Sequence, residues 1–458
     1  MAGAMLIQST SDKTRRTAQI VRDERGNVAV MFALALVPML GFVGAAVDYS
    51  RANAARSSMQ VAIDSAALMV SKDLGANPSL SAADVSSKAV AYFNALYNNK
   101  NSGPVTVNAT YTTNTANGST VTVTGSGSVT TDFMKMVGYP KLDVGSTSTT
   151  TWGSTRMRVA MALDVTGSMA DDGKMAAMQS AAKNLVDTLQ SNAKNADDVY
   201  ISIVPFAQMV NVGASNRAAN WIKWTDFDTA NGSCSSNNYS TQASCVSHNK
   251  TWTATSHNNW NGCVTDRDQP YDTTRDAPLS DSTRFPANQY NACPAQILPM
   301  TSAYAANNVT TIKAKIDSLS PNGGTNQPIG MAWAWETLQS GDPMNTPAKD
   351  SAYKYTDAII VLSDGQNTID RWYGNGSSYS ASVDARQKIL CDNIKASSSS
   401  SAPVVIYTIQ VNTDNDPESA VLKYCAGSGN FYPTSTASGI AAAFTAIGNS
   451  LNALRVAK

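Results

Sequence analysis

Histidine is almost missing from this chain: His248 and His257 are the two in 458 residues. A three-histidine metal centre is thereby excluded, and any general base must be another residue type. Charge is scarce as well, at 15% of residues, and its signs cancel, with 34 Lys+Arg against 34 Asp+Glu. No overall field draws the chain to a polyanion, so no nucleic-acid partner is expected. Cysteine does not occur before Cys234; all six, Cys234, Cys245, Cys263, Cys293, Cys391 and Cys425, belong to the second half. Six are too few for a disulfide-dense miniature, and the length allows about three domains with at least one sizeable core. Long apolar runs are lacking too, with one exception at residues 28–47, VAVMFALALVPMLGFVGAAV, which carries no charge.

That run is twenty residues long, about 30 Å as a helix, one hydrocarbon thickness. Pro38 is tolerable in a membrane helix, where the freed carbonyl is satisfied locally. Upstream stand Lys13, Arg15, Arg16, Arg22 and Arg25 against Asp12, Asp23 and Glu24; downstream the first charge is Asp48. The positive-inside rule therefore predicts a cytoplasmic N-terminal segment, residues 1–27, and a remainder outside the cytoplasm. A cleaved signal peptide is the rival reading, but its apolar core runs only about 7 to 15 residues. Outside the cytoplasm disulfides are permitted, and two bridges within 234–293 plus one joining Cys391 to Cys425 is the economical pairing. A zinc site on Cys245, His248, His257 and Cys263 is the competing use of the thiols.

Beyond the run, residues 49–72 are rich in helix formers and extend the anchor outward until Gly75 and Pro78. Residues 81–97 read as a second helix; 105–112 and 119–131 alternate Thr and Val around Asn117-Gly118, a hairpin signal. Residues 48–150 thus form a helix with a small sheet, a pilin-like α+β region. From residue 156 onward apolar strands (158–163, 199–206, 357–362, 404–411) alternate with helical stretches (174–189, 305–319, 328–338, 383–394, 417–424, 440–454). Strands buried on both faces and separated by helices predict an α/β fold with a doubly wound, mostly parallel sheet. Residues 212–303, with Trp221, Trp224, Trp252, Trp260 and four of the cysteines, read as an insertion. Its tryptophans serve either as the core of a small disulfide-bonded lobe or as a recognition surface, carbohydrate included.

Asp164-Val165-Thr166-Gly167-Ser168 stands directly after the first of these strands. A carboxylate and two hydroxyls at i, i+2 and i+4 suit a hard cation, Mg²⁺ or Mn²⁺. The plain alternative is a helix cap at Ser168. Two further loops carry oxygen ligands: Gly323-Gly324-Thr325 before a helix, and Leu362-Ser363-Asp364-Gly365 after an apolar strand. The C-terminal edge of such a sheet is where open α/β proteins bind ligands. Without a nearby histidine, a lysine poised by an apolar pocket or a second metal cluster, the loops favour binding over hydrolysis, and no enzyme is expected. Asp171 and Asp172 either tune the site or favour the following helix N-terminus.

Asp164, Thr166, Ser168, Thr325 and Asp364 resemble the metal-ion-dependent adhesion site of von Willebrand factor type A domains, with Thr166 in place of the more usual serine. The resemblance covers 156–458 with 212–303 inserted, and implies Mg²⁺ at those five residues with an acidic partner group completing its shell. Residues 25–34 (RGNVAVMFAL), 47–51 (VDYSR) and 60–68 (QVAIDSAAL) resemble the TadG-like branch of the TadE/TadG proteins of tight-adherence (Flp) pilus assembly. Met31 stands where the pseudopilin branch keeps a glutamate, so the helix is expected to stay as an uncleaved anchor. The resemblance implies a bacterial inner-membrane protein, single-pass, with its C-terminal domain in the periplasm. The expected function is non-catalytic pilus assembly or surface adherence, gripping a protein partner, a pilus-assembly or envelope component, through Mg²⁺. The competing expectation is a pilin-like scaffold in which residues 28–150 do the work and the metal site is incidental.

Overall fold

A computed structural model of the chain describes residues 27–76, 80–98, 103–112, 119–152, 155–193, 195–351, 353–399, 402–413 and 417–456. All of the expected segment 1–27 except its last residue, and the Asn117-Gly118 turn, lie outside the described residues. Those up to 151 make one compact unit and those from 152 onward a second.

In the first unit, α1 (Asn27–Ala76) is a single helix that runs through Pro38. Its residues 28–43 are exposed, and the helix is long and apolar enough there to cross a membrane. From Gly44 the pattern changes: Gly44, Asp48, Ala52, Ala55, Met59, Ala62, Ile63, Ala66 and Val70 are buried. Steps of three and four put them on one helix face. That face packs on a sheet of β1 (Thr106–Thr112), β2 (Ser119–Thr130) and β3 (Lys141–Trp152), ordered β1-β2-β3. β1 and β2 pair antiparallel, from Thr106 opposite Ser126 to Thr112 opposite Thr120. Gly125 leaves room for the helix, since a methyl there would lie 2.6 Å from Ile63 Cδ1. α2 (Ala82–Leu96) starts at a Ser81/Asp84 capping box and buries Val85, Ala89 and Phe93. The third strand was not anticipated; it supplies the partner that a two-stranded hairpin lacks.

The second unit is a mixed α/β structure around a sheet with a parallel centre. In chain order come β4 (Arg156–Asp164), α3 (Lys174–Asn192), β5 (Val199–Phe206), β6 (Val210–Asn211), β7 (Cys263–Val264) and β8 (Leu298–Ser302). They continue with α4 (Ala306–Asp317), α5 (Gln327–Thr337), β9 (Tyr355–Ser363), α6 (Ala381–Ala396), β10 (Val404–Val411), α7 (Ala420–Ala426), β11 (Phe431–Thr434) and α8 (Ala437–Val456). The sheet order is β7-β6-β5-β4-β9-β10-β11, with β8 antiparallel on β5. β5, β4, β9, β10 and β11 are mutually parallel. Every residue of β4 and β9 is buried, as a parallel sheet covered on both faces requires. Met157, Val159, Met161 and Leu163 join a cluster with α3, α4 and α8, including Leu185, Ile312 and Phe444. Ala160 and Ala162 face the opposite cluster, which holds Trp333, Leu390 and Leu422 from α5, α6 and α7.

The expected cysteine pairing is realised: Cys234–Cys245 and Cys263–Cys293 lie in the inserted tract, and Cys391–Cys425 pins α6 to α7. Zinc is thereby excluded at Cys245 and Cys263. His257 instead bonds Asp228 and stacks on Trp224, and His248 stacks on Tyr239. Trp221 and Trp260 are buried, Trp221 edge-on to Phe285 and Trp333, so these two indoles are core.

Candidate functional site

β4 and β9 are neighbours whose register sets Leu163 opposite Leu362. Their next residues, Asp164 and Ser363-Asp364, therefore emerge side by side at the C-terminal edge of the sheet. Backbone bonds gather the three loops. Gly167 N–H donates to the Gly323 carbonyl at 2.9 Å and Asn322 N–H to the Val165 carbonyl at 2.7 Å. Thr368 N–H donates to the Thr325 carbonyl at 2.9 Å. Gln327, at the start of α5, ties the second loop to the third: its amide donates to Ser363 Oγ at 3.0 Å and to the Gly365 carbonyl at 2.9 Å. Gly323 has φ +89°, a left-handed turn that favours glycine.

The five expected side chains come together. Asp164 Oδ1 accepts from the Thr166 N–H at 2.8 Å, and its Oδ2 accepts from the Ser363 hydroxyl. The hydroxyls of Thr166 and Ser168 are 3.2 Å apart, and Ser168 donates to Asp364 Oδ1 at 2.8 Å. Thr325 stands on the same side of the third loop, since a methyl built on Gly365 would lie 3.9 Å from both Thr325 Oγ1 and Ser168 Oγ. Ser168 therefore bonds a carboxylate, and the following helix is capped by Gly173 without a side-chain bond, so the capping reading fails. Asp171 and Asp172 are exposed. Burial pushes the Asp164 carboxyl up to about 7, with Asp364 adding to it and the Ser363 and Thr166 bonds opposing.

One group was missed: a buried lysine, held by an ion pair and not poised by an apolar pocket. Lys174, in the first turn of α3, is buried, and its Nζ pairs with Asp364 Oδ2 at 2.9 Å. The same ammonium lies 3.4 Å from the Ser168 carbonyl. Its sole sequence signal is position, ten residues after Asp164 at the start of a helix following the first loop.

Sequence reasoning also missed how the inserted tract is fastened to these loops. Asp266 Oδ2 accepts from Asn326 Nδ2 at 2.9 Å, next to Thr325, and from the Arg371 N–H at 3.1 Å. The Arg371 guanidinium reaches the Asp266 carbonyl at 3.0 Å, Asp268 at 2.8 Å and Asp226 at 2.6 Å. Burial and then the nearby Asp370 push the Asp266 carboxyl up to about 7. Past Arg371, the exposed aromatics of the third loop are Trp372, Tyr373 and Tyr379.

By donor chemistry the set suits a hard cation: two carboxylates and three hydroxyls, all oxygen. Among the described residues, no group of three or more His, Cys, Asp or Glu side chains forms a metal cluster. Any ion here would depend on the hydroxyls and share Asp364 with Lys174.

Residues 26–76 match the sequence model of the family described as Flp pilus-assembly TadE/G-like. Comparison with curated proteins returns no match. Among solved structures, the chain is similar to the pilus adhesin SpaC from Lactobacillus rhamnosus GG, at 10% identity and TM-score 0.35, over 78% of this chain and 35% of that one. It is similar to the vWF domain of the type V pili tip protein Mfa5 from Porphyromonas gingivalis, at 11% identity and TM-score 0.34, over 65% of this chain and 95% of that one. The PilB minor pilin from Streptococcus sanguinis follows at 11% identity and TM-score 0.35, over 77% and 79%. Likeness at this level decides neither fold nor function.

Proposed function

We propose that this chain is a non-catalytic, membrane-anchored pilus-assembly or surface-adherence factor whose second unit grips a protein partner through Mg²⁺ or Mn²⁺. The carrying observation is the convergence of Asp164, Thr166, Ser168, Thr325 and Asp364 from three loops at the C-terminal edge of the sheet. These five side chains would hold the ion, which when bound supplies an open electrophilic position for a partner carboxylate. The fold that suits this role is a von Willebrand factor A-like doubly wound sheet. Its support is the order β8-β5-β4-β9-β10-β11, which counts 3-2-1-4-5-6 along the chain, with helices on both faces. Pilus association is supported by the family match at residues 26–76. Anchoring by residues 28–47 is supported by their uncovered apolar surface, and periplasmic placement by the charge asymmetry and three disulfides.

The test is Mn²⁺ binding to the full chain in detergent, followed by electron paramagnetic resonance, with Asp164→Ala and Asp364→Ala beside the wild type. One bound ion per chain is expected, lost in both variants; undiminished binding in both refutes the metal role. Retention of envelope proteins on the wild-type chain with Mg²⁺, and its loss with chelator, then addresses the partner.

The competing scaffold reading draws on two observations: the family match is confined to residues 26–76, and Lys174 already supplies a positive charge to Asp364. Cells carrying only residues 1–151 separate the two, since retained pilus assembly favours the scaffold.

A further inference from the structure

We infer that the connection between β2 and β3, residues 131–140, is a second membrane contact, seated in the interfacial layer of the bilayer beside the outer end of the α1 apolar run. The inference rests on the reading of residues 28–47 as an anchor. It begins with four large side chains facing solvent within seven residues. Phe133 is 47% exposed, Met136 79%, Val137 70% and Tyr139 61%. Scattered single apolar residues are ordinary on a soluble surface; a cluster this dense marks a contact.

The position of the cluster along α1 identifies what it contacts. Asp48, the first charge after the apolar run, accepts from the backbone N–H groups of Asp132, Phe133 and Met134 at 3.0, 2.8 and 2.8 Å. Arg51 bonds the Asp132 carboxylate at 2.5 Å. Phe133 lies against Gly44, where a methyl would come within 2.4 Å of its ring. The connection is thus bound to α1 between residues 44 and 51, where about 30 Å of apolar helix ends. Burial of Asp48 opposes its charge, but the three N–H donors and Arg51 outweigh this and hold its carboxyl below the ordinary value. One 3₁₀ turn, Met134–Val137, ends at Gly138 with φ +96°, and the Thr131 N–H donates to the Pro140 carbonyl.

The composition fits the layer between hydrocarbon and water. Tyr139 has an apolar ring and a polar tip, as aromatic belts require, and Lys135 and Lys141 flank it with long stems that reach headgroups. A lipid surface therefore meets apolar side chains at the depth where the helix leaves it, with cations at their margin.

The experiment uses the full chain in vesicles of phosphatidylethanolamine and phosphatidylglycerol. The described residues contain no free cysteine, so Leu34→Cys, Val61→Cys and Met136→Cys can each carry one environment-sensitive fluorophore. All three positions are exposed, so the label displaces no core. Expected are deep quenching by lipid-borne nitroxide at residue 34, shallow-nitroxide quenching with a blue shift at 136, and quenching only by aqueous iodide at 61. Residue 136 behaving like 61 while 34 reports lipid overturns the inference and leaves the anchor standing. Residue 34 open to iodide overturns both. Shielding of 136 from lipid and aqueous quenchers alike also overturns the inference, and identifies a protein, a second copy or another subunit, as what covers it.

Discussion

Lys174 and Asp364 are both removed from solvent, so neither charge has water to fall back on. Breaking a buried pair by deleting one partner costs about 3–5 kcal/mol. Lys174→Met is expected to lose stability of that order in chelator, read from urea midpoints by tryptophan fluorescence. Mg²⁺ should restore part of the loss, because a divalent ion replaces the missing charge on Asp364. Asp266 yields a pH prediction. Its carboxyl stands at about 7 in the fold against an ordinary 3.8. Between these values the folded chain keeps a proton that the unfolded chain releases, so stability falls as pH rises through that window. Below it the residue costs nothing, and above it the full cost of burying the charge is present. Asp266→Asn should therefore gain on the wild type from about pH 4 to 7 and run parallel outside. Denaturation curves across that range check it; a constant difference refutes it. The five residues of the candidate site were legible because each lies at a strand end or helix start, where pattern and chemistry coincide. Lys174 was not, because a lysine at a helix start reads as a solvated charge, and its burial depends on the third loop, 190 residues away.

At the scale of elements, α5 approaches β5 closely enough that Gly330 has no room for a side chain. A methyl there would stand 2.4 Å from the Phe206 ring, which is itself fully buried. Alanine favours a helix over glycine by about 1 kcal/mol, but overpacking a core costs about 1–3 kcal/mol. Gly330→Ala is expected to destabilise, with Phe206→Leu in the same chain recovering part of the loss in thermal melts. Long buried strands such as β9 and β10 were readable as continuous apolar runs. β8 and β11 were not, since each is short and carries a proline, LPMTS and FYPT. β3, KLDVGSTSTTTW, escaped for another reason. Its pairing to β2 comes from backbone bonds, and its Ser/Thr sequence has no apolar alternation to announce a strand.

For the whole molecule, two units with separate cores imply separable folding. Residues 155–458 expressed alone should unfold in one cooperative transition and retain the three disulfides. Non-coincident transitions by tryptophan fluorescence and far-ultraviolet circular dichroism would refute that. The order of helix, small sheet and α/β unit was legible because hydrophobic period changes at each step. The inserted tract resisted reading, having few regular elements and an organisation set by two disulfides, buried indoles and an ionic network.

That network has an evolutionary corollary. The Asn326 side-chain amide and the Arg371 backbone N–H, on separate loops, both donate to the Asp266 carboxylate of the inserted tract. The tract is therefore no detachable ornament that recombination could exchange freely: a transplanted replacement must bring its own acceptor for the residue 326 amide and for the backbone N–H of residue 371. Natural variation should couple residue 266 to residue 326, and residue 371 to residues 226 and 268, whose carboxylates receive its guanidinium.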